Sequence, residues 1–486
     1  MTILISTQAF YDNLLFDKIK KLSNSIEIKY IYITSSLMND LTVDMIEKYS
    51  SIKKVKIIKS QTITNNHFSK INFNLQIDGV DNEESIYSDV LSSKRWLPIN
   101  MRKKYDEVTF SMNFYYDIQN YWNYFFKNNK IDSVIQLNEE HSSLDSILLR
   151  IAKKYKVKNI ITSRIVGAFA SNAEEYYSFY NNNTNSYILI DKFEKDETNT
   201  ELTDNSDFKI FSKKYNKSNI LRLKYDYNRF ILLFKEDLTT LKKIKKLLVF
   251  ISNRIITKSL LFNQMLYIKR LNSFYLNISE KEIDLNKKYI YYCLHFDPEA
   301  NTLPKDSQSS NQLLNLRILS SSLPSDWIIY VKEHPHQLEY KYYKKILLNQ
   351  LHSVDKFRSE NFYNYIKSMD NVQLVSLNVN HMDLIKKSQM IASNTGTIFR
   401  EANYLKKYCI TFSKKSIYNE LLSVFYVNDI MTCKKAIEKI TNSSFDKSTV
   451  NEVFSKYSLT IKKIENRSGH LFDFIIKNKL YKMNND

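Results

Sequence analysis

What most constrains this chain is an alternation of short β-branched runs with stretches of helical period, in two separate blocks. In the first block Ile3 to Ser6 reads as a strand, followed by an amphipathic helix through about Leu22. Further strands fall around Ile28 to Thr34 and Val55 to Ile58. An aromatic-rich helix from about Phe110 to Asn128 then leads into a strand at Ser133 to Leu137, a helix from about Ser142 to Tyr155, and a strand at Asn159 to Thr162. The second block places strands at Tyr289 to Leu294, Trp327 to Lys332, Val372 to Val375, Met390 to Ala392 and Tyr408 to Phe412. Strand–helix–strand at this spacing is the βαβ unit, whose right-handed crossover requires a parallel sheet. With 486 residues the chain is too long for one ordinary core, so the expectation is an α/β protein of two Rossmann-like domains.

Between the blocks the pattern lapses. Residues of about 170 to 230 are Asn/Thr/Asp-rich loops around one strand, Tyr187 to Ile190. From Leu238 to Ser279 no acidic residue occurs, while Lys242, Lys243, Lys245, Lys246, Arg254, Lys258, Lys269 and Arg270 are interleaved with Leu, Ile and Phe. Two readings fit this basic amphipathic run: an interdomain helix with a solvated Lys face, or a segment docking on anionic headgroups. The expected division is 1–235, a basic helical connector over 236–284, a second domain over 285–445, and a helical tail over 446–486.

Composition removes several classes. Hydrophobic residues at 43% and charged residues at 25% belong to a globular chain. Only 4 Gly and 5 Pro exclude collagen-like and proline-rich segments, and give each glycine positional weight. A formal charge of +19 invites a nucleic-acid reading. Zinc-finger spacing, an RNP-like aromatic strand and a helix-turn-helix are all missing, and heavy use of Lys, Asn, Ile and Tyr follows from an AT-rich genome, so no nucleic-acid partner is expected. A phosphorylated substrate or an anionic membrane leaflet remains compatible with the charge. Cys293, Cys409 and Cys433 lack metal-type spacing and form an odd set, as in a reducing compartment. The opening MTILISTQAF has no basic n-region and reads as a strand, and no run of about 18 apolar residues occurs. The expected location is cytoplasmic, with peripheral contact at the inner face of the membrane through 238–279.

In open parallel sheets ligands bind at the carboxyl ends of strands, which directs attention to four segments. His295-Phe-Asp-Pro-Glu-Ala300 follows a strand, and Pro298 stops it so that Glu299 is aimed at the cleft. Val331-Lys-Glu-His-Pro-His-Gln337 closes another; Pro335 suits a first helical turn, and Lys332 and His334 could hydrogen-bond a phosphate or ribose beside that helix N-terminus. Ser393, Asn394, Thr395, Gly396 and Thr397 form a short hydroxyl-rich turn into a helix bearing Glu401, and there backbone amides can approach a ligand closely. Helix capping alone would also account for that turn. In the first block, Asn138-Glu-Glu-His141 follows a strand. Glu139, Glu140 and His141 could supply a base or nucleophile, although acids also favour helix N-termini. Ser163 and Arg164 end the next strand and could line the same cleft, Arg164 as a fork for carboxylate or phosphate.

No Asp-x-Asp that would hold a divalent metal against a diphosphate occurs, nor a Gly-x-Gly-x-x-Gly or a Walker spacing. The expectation is no cofactor and no metal, with helix dipoles and Lys or His stabilising a departing phosphate.

These segments resemble those of bacterial capsule and surface-polysaccharide biosynthesis proteins. HFDPEANTLP is similar to their Q-P-E-A-(S/T)-T segment, VKEHPHQ to K-x-H-P, and SNTGTIFREA to S-x-x-G-x-x-x-x-E-A. VIQLNEEHSSLDSILLRIAKKYKVKNI resembles their strand, acidic loop and helix. The resemblance implies a GT-B fold, two facing Rossmann-like domains with the donor nucleotide in the second and the acceptor mainly in the first. The His-Pro motif is shared with transferases that use CMP-linked sialic acid or Kdo, which makes His334 and Pro335 the donor motif, Ser393 and Thr395 phosphate contacts, and Glu299 a cleft residue. Asp297 departs from the Gln of the pattern. The implied function is transfer of a sugar from a nucleotide donor to a glycan or glycolipid acceptor. Alternatives are a polyol-phosphate transferase with a CDP-linked donor, a UDP-sugar enzyme such as a 2-epimerase, or a non-catalytic capsule assembly or export factor.

Overall fold

The computed structural model describes residues 2–8, 13–22, 27–34, 48–52, 55–59, 108–138, 143–165, 175–191, 193, 262–297, 309–339, 357–445, 450–461 and 467–482. In the first lobe these are β1 (Thr2–Gln8), α1 (Asn13–Leu22), β2 (Glu27–Thr34), β3 (Lys56–Lys59), α2 (Val108–Asn128), β4 (Ser133–Gln136), α3 (Ser143–Lys154), β5 (Lys158–Arg164), β6 (Glu175–Asn181) and β7 (Ser186–Tyr187). Among the described residues, β3, β2, β1, β4 and β5 lie side by side in that order, every pair parallel. This is the doubly wound order, with the chain reversing its direction of travel between β1 and β4.

The helices cover this sheet because their apolar residues recur at helical spacing. On α3, Leu144, Ile147, Leu148, Ile151 and Ala152 are buried; on α2, Tyr115, Ile118, Trp122, Phe125 and Phe126 are. Trp122 stands edge-on to Tyr32 of β2 with ring centroids 5.0 Å apart. Each such buried large side chain contributes about 1.5–3 kcal/mol. The chain leaves α3 through Lys156 at φ 57 and enters β5 directly.

Two parts of this lobe differ from the sequence expectation. The strand expected at Tyr187 to Ile190 is only the two-residue β7, and the main strand of that region is β6, antiparallel to β5. Its run of Tyr176, Tyr177, Phe179 and Tyr180 is buried on both faces, but it holds no β-branched residue of the kind that marks the other strands. The segment 446–486, expected as a helical tail, contains a strand as well as helices.

The second lobe comprises α4 (262–278), β8 (Tyr289–Cys293), α5 (Gln312–Ser320), β9 (Ile328–Lys332), α6 (Glu360–Lys367), β10 (Val372–Val375), α7 (His381–Lys387), β11 (Met390–Ser393), α8 (Ile398–Tyr404), β12 (Tyr408–Thr411), β13 (Val424–Tyr426) and α9 (Ile430–Thr441). Its sheet runs β10-β9-β8-β11-β12-β13, all parallel. The direction of winding reverses between β8 and β11. Of the basic run over 238–279, residues 238–261 lie outside the described residues. The remainder is α4, which seats Ile268, Leu271 and Tyr275 in the second-lobe core and leaves Lys269 and Arg270 exposed. Arg270 pairs with Glu360 at 3.0 Å. No described helix is long and apolar enough to cross a membrane.

The chain then returns to the first lobe. After α10 (Val450–Tyr457), β14 (Ser458–Ile461) adds to β6 in antiparallel register, Ser458 opposite Ser178 and Ile461 opposite Glu175. The last helix, α11 (Arg467–Lys477), lies against α1. A Cβ at Gly469 would stand 2.6 Å from the backbone nitrogen of Leu15, so the two helices touch almost backbone to backbone there. Lys18 and Asp473 form an ion pair at 2.6 Å across the same contact. The architecture is therefore α/β, with two Rossmann-like lobes facing one another across a cleft, as expected of a GT-B fold.

Candidate functional site

The carboxyl ends of β8 and β11 flank the reversal point of the second sheet, where doubly wound folds open a crevice. A cavity of about 660 Å3 lies there. Ser163, Arg164 and Tyr187 of the first lobe line one side of it. From the second lobe it is lined by His295, Lys332, His334, Pro335, Ser393, Thr395, Gly396, Thr397 and Glu401. Residues named from strand ends in both blocks thus share one space. Glu139, Glu140, His141 and Glu299 lie outside the described residues.

His334 acquires a defined chemical state from its local fold. It caps a three-residue 3-10 turn, Pro335–Gln337, with Pro in the first turn as expected. Among the described residues, which reach Glu339 here, the helix expected to start at Pro335 is this single turn. Its Nδ1 accepts from the backbone N–H of His336 at 3.3 Å, which leaves the ring proton on Nε2. Burial, and then the neighbouring His295, His336, Arg358 and His381, lower its pKa to about 3. At neutral pH the ring is therefore an uncharged Nε2–H donor, suited to a phosphate oxygen or a hydroxyl.

Lys332 does not offer its charge in the way the sequence suggested. Its side chain is buried, and the ammonium donates to the carbonyl of Val379 in the loop ahead of α7. Burial lowers its pKa. It forms part of the cavity wall while anchored to that loop.

The turn after β11 divides into inward and outward members. Ser393 donates through Oγ to the Cys293 carbonyl at 3.0 Å, tying β11 to β8. Asn394 is buried; its Oδ1 accepts from Asn315 at 2.8 Å and its amide donates to the Ser309 carbonyl. It therefore shapes the turn from within and is absent from the cavity wall. Thr395 Oγ1 lies 3.2 Å from Ser416 Oγ. Gly396 has φ +109, a conformation L side chains rarely adopt, and a Cβ there would lie 3.5 Å from His295 Nε2. Thr397 precedes α8 without a side-chain cap bond, so capping does not account for the hydroxyl-rich turn.

Two participants carried no signal in the sequence. His381, the first residue of α7, places Nε2 2.6 Å from Glu401 Oε2 and Nδ1 3.0 Å from the Tyr291 hydroxyl. Burial raises the Tyr291 pKa well above its ordinary value, so the phenol stays protonated. The three residues come from β8, α7 and α8 and meet only in the fold.

Beneath the cavity floor lies a buried polar network centred on Arg358. Its Nε donates to Glu333 Oε2 at 2.7 Å, Nη1 to Asp297 Oδ2 at 3.0 Å, and Nη2 to the His295 carbonyl at 2.8 Å. Burial opposes its charge, but Glu333 and Asp297 raise its pKa and keep it a cation. Asp297, the departure from the Gln of the resembling motif, is thus paired within the chain. Among the described residues no cluster of His, Cys, Asp and Glu is arranged to hold a metal ion.

No protein family model matches the chain, and no curated protein does. Solved structures similar to it include UDP-GlcNAc 2-epimerase from Methanocaldococcus jannaschii, at 12% identity and a TM-score of 0.25, covering 98% of this chain and 100% of that one. UDP-GlcNAc 2-epimerase from Neisseria meningitidis is similar at 12% identity and a TM-score of 0.23, covering 99% and 100%. The β-Kdo 2,4 transferase KpsC of Thermosulfurimonas dismutans is similar at 14% and 0.23, covering 43% of this chain and 62% of its own. Likeness at these identities and scores carries no functional weight.

Proposed function

We propose that the protein is a glycosyltransferase of surface-polysaccharide synthesis that binds a nucleotide-linked sugar in the interlobe cavity, the donor being a CMP-linked acidic sugar such as Kdo or sialic acid. The observation that carries this reading is the joint placement of His334 and the Gly396 turn on one cavity at the reversal point of the second sheet. A neutral imidazole N–H, the Thr395 hydroxyl and the backbone approach allowed by glycine together suit a phosphate. Glu401, its Oε2 facing His381, can accept from sugar hydroxyls.

In this reading an acceptor hydroxyl attacks the anomeric carbon, the bond from that carbon to the phosphate oxygen breaks, and the nucleotide leaves with the electron pair. His334 and the turn amides stabilise the charge that grows on the departing phosphate. No divalent ion is required. Arg164 stands across the cleft on the first lobe to orient the donor carboxylate or the acceptor. The acceptor proton passes to a base from the segment after β4, where Glu139, Glu140 and His141 follow in sequence.

Thermal unfolding with CMP, UDP and CDP tests the binding step. CMP at a hundredfold excess over its Kd should stabilise the chain by about 2.7 kcal/mol, and His334→Ala should abolish the shift while the protein stays folded. Absence of a shift with every nucleotide at millimolar concentration refutes the reading. Product analysis over a panel of nucleotide sugars then separates transfer from epimerisation.

A further inference from the structure

We infer that Arg358 is a positioning residue: from beneath the cleft it fixes the two strand-end loops that carry His295 and His334, and so sets where both imidazoles stand. The inference deepens the donor-site reading above, but its first readout needs no ligand.

Arg358 is fully enclosed, with a side-chain exposure of 2%. Besides Glu333, Asp297 and the His295 carbonyl, its Nη1 donates to the Phe357 carbonyl at 3.1 Å. One planar group thereby reaches the loop after β8 through His295 and Asp297, and the loop after β9 through Glu333. The second oxygen of Glu333 accepts from the His334 backbone N–H at 2.7 Å. Tyr363 of α6 donates to the Glu333 oxygen that Arg358 also binds, at 2.7 Å.

Two amides complete the frame. Gln312 accepts from the His295 N–H at 2.6 Å and donates to the His295 carbonyl at 3.1 Å, and it also donates to Asp297. Gln337 accepts from the Asp297 N–H at 2.8 Å and returns a bond to the Asp297 carbonyl at 2.9 Å. The backbone of both loops is thus held on either side of each histidine. Apolar side chains of like volume would stabilise such a core as well or better, so what the ionic network adds is fixed geometry. Lysine cannot replace the fork, because a single ammonium cannot reach two carboxylates and a carbonyl in one plane.

The test uses the full chain labelled with 13C at histidine Cε1, with signals assigned by His295→Ala and His334→Ala. In Arg358→Lys, without ligand, the His295 and His334 signals should move or broaden, while that of the exposed His470 on α11 stays in place. CMP binding should weaken by about tenfold to a hundredfold, as expected when binding groups are misplaced by about 1 Å. Asp297→Asn keeps the shape and removes one charge; it should shift the same signals in the same direction by less, and it decides the matter if Arg358→Lys fails to fold. Folded variants whose His295 and His334 signals superimpose on those of the wild type overturn the inference. Failure of CMP to bind the wild-type chain would sink the donor-site reading alone, since the imidazole signals would still report on Arg358.

Discussion

Gly396→Ala separates a turn built for ligand approach from one that merely connects two elements. The native φ of +109 lies beyond the left-handed helical region near +57, so alanine must hold a strained backbone or rebuild the turn. Residues forced into such sparsely populated regions cost about 1–3 kcal/mol. Sterics add little, because the nearest heavy atom to the new methyl is His295 Nε2 at 3.5 Å, an ordinary contact. For a lobe of this size the loss corresponds to a fall in Tm of roughly 2–12 °C. Calorimetry of the ligand-free chain reads that fall. The methyl also fills the space between the imidazole and the turn, so CMP affinity should drop further than stability alone would cause. An alanine variant with unchanged Tm and unchanged CMP affinity would refute both the strain and the role of the turn.

Gly469→Ala should also destabilise, through a different cause: its methyl meets the Leu15 backbone at 2.6 Å. Overpacking of this kind costs about 1–3 kcal/mol, and because the contact belongs to α1 and α11, CMP affinity measured by calorimetry should be unchanged in the folded variant. His334 has its pKa lowered to about 3 in the fold, so the unfolded chain binds a proton there between about pH 6.5 and 3 that the folded chain does not. Its contribution to stability is present above about pH 6.5 and is lost as pH falls toward 3, with a slope of at most about 1.4 kcal/mol per pH unit; denaturant titrations of His334→Gln should show a flatter acid limb. Glu401→Gln keeps shape but exchanges a carboxyl for an amide at the proposed sugar contact, so donor affinity should fall about tenfold, read by titration calorimetry with the CMP-linked sugar.

The parallel strands were legible because burial on both faces leaves near-continuous apolar runs such as IIYV in β9. The loops that line the cavity stand at the ends of those strands, where open sheets of this kind form their crevice. His334 and the Gly396 turn occupy two such ends. The Lys332 side chain was placed on the right strand, yet the Val379 carbonyl that holds its ammonium comes from another loop, which no local pattern encodes. Tyr291, His381 and Arg358 were missed for the same reason: their partners stand 90, 20 and 61 residues away along the chain. Burial of an arginine between two carboxylates is a property of three separate segments, invisible in any one of them. The β6 strand, EYYSFYN, escaped because it lacks the β-branched residues that mark the parallel strands, and β14, SLTI, because its two apolar residues alternate with polar ones instead of forming a continuous run.

The return of β14 to β6 has a consequence for synthesis on the ribosome. Once the first lobe emerges, β7 pairs with the far end of β6 at Tyr180 and Asn181, but the stretch Glu175–Ser178 keeps an open rim. Roughly 280 further residues must be made before Ser458–Ile461 can close it, which at about 5–20 residues per second takes on the order of 14–56 s. Throughout that interval the nascent lobe presents unpaired backbone flanked by Tyr176 and Tyr177, a template for wrong pairing. The second lobe thus folds beside an unfinished neighbour, and a fragment ending before β14 should aggregate where the full chain does not.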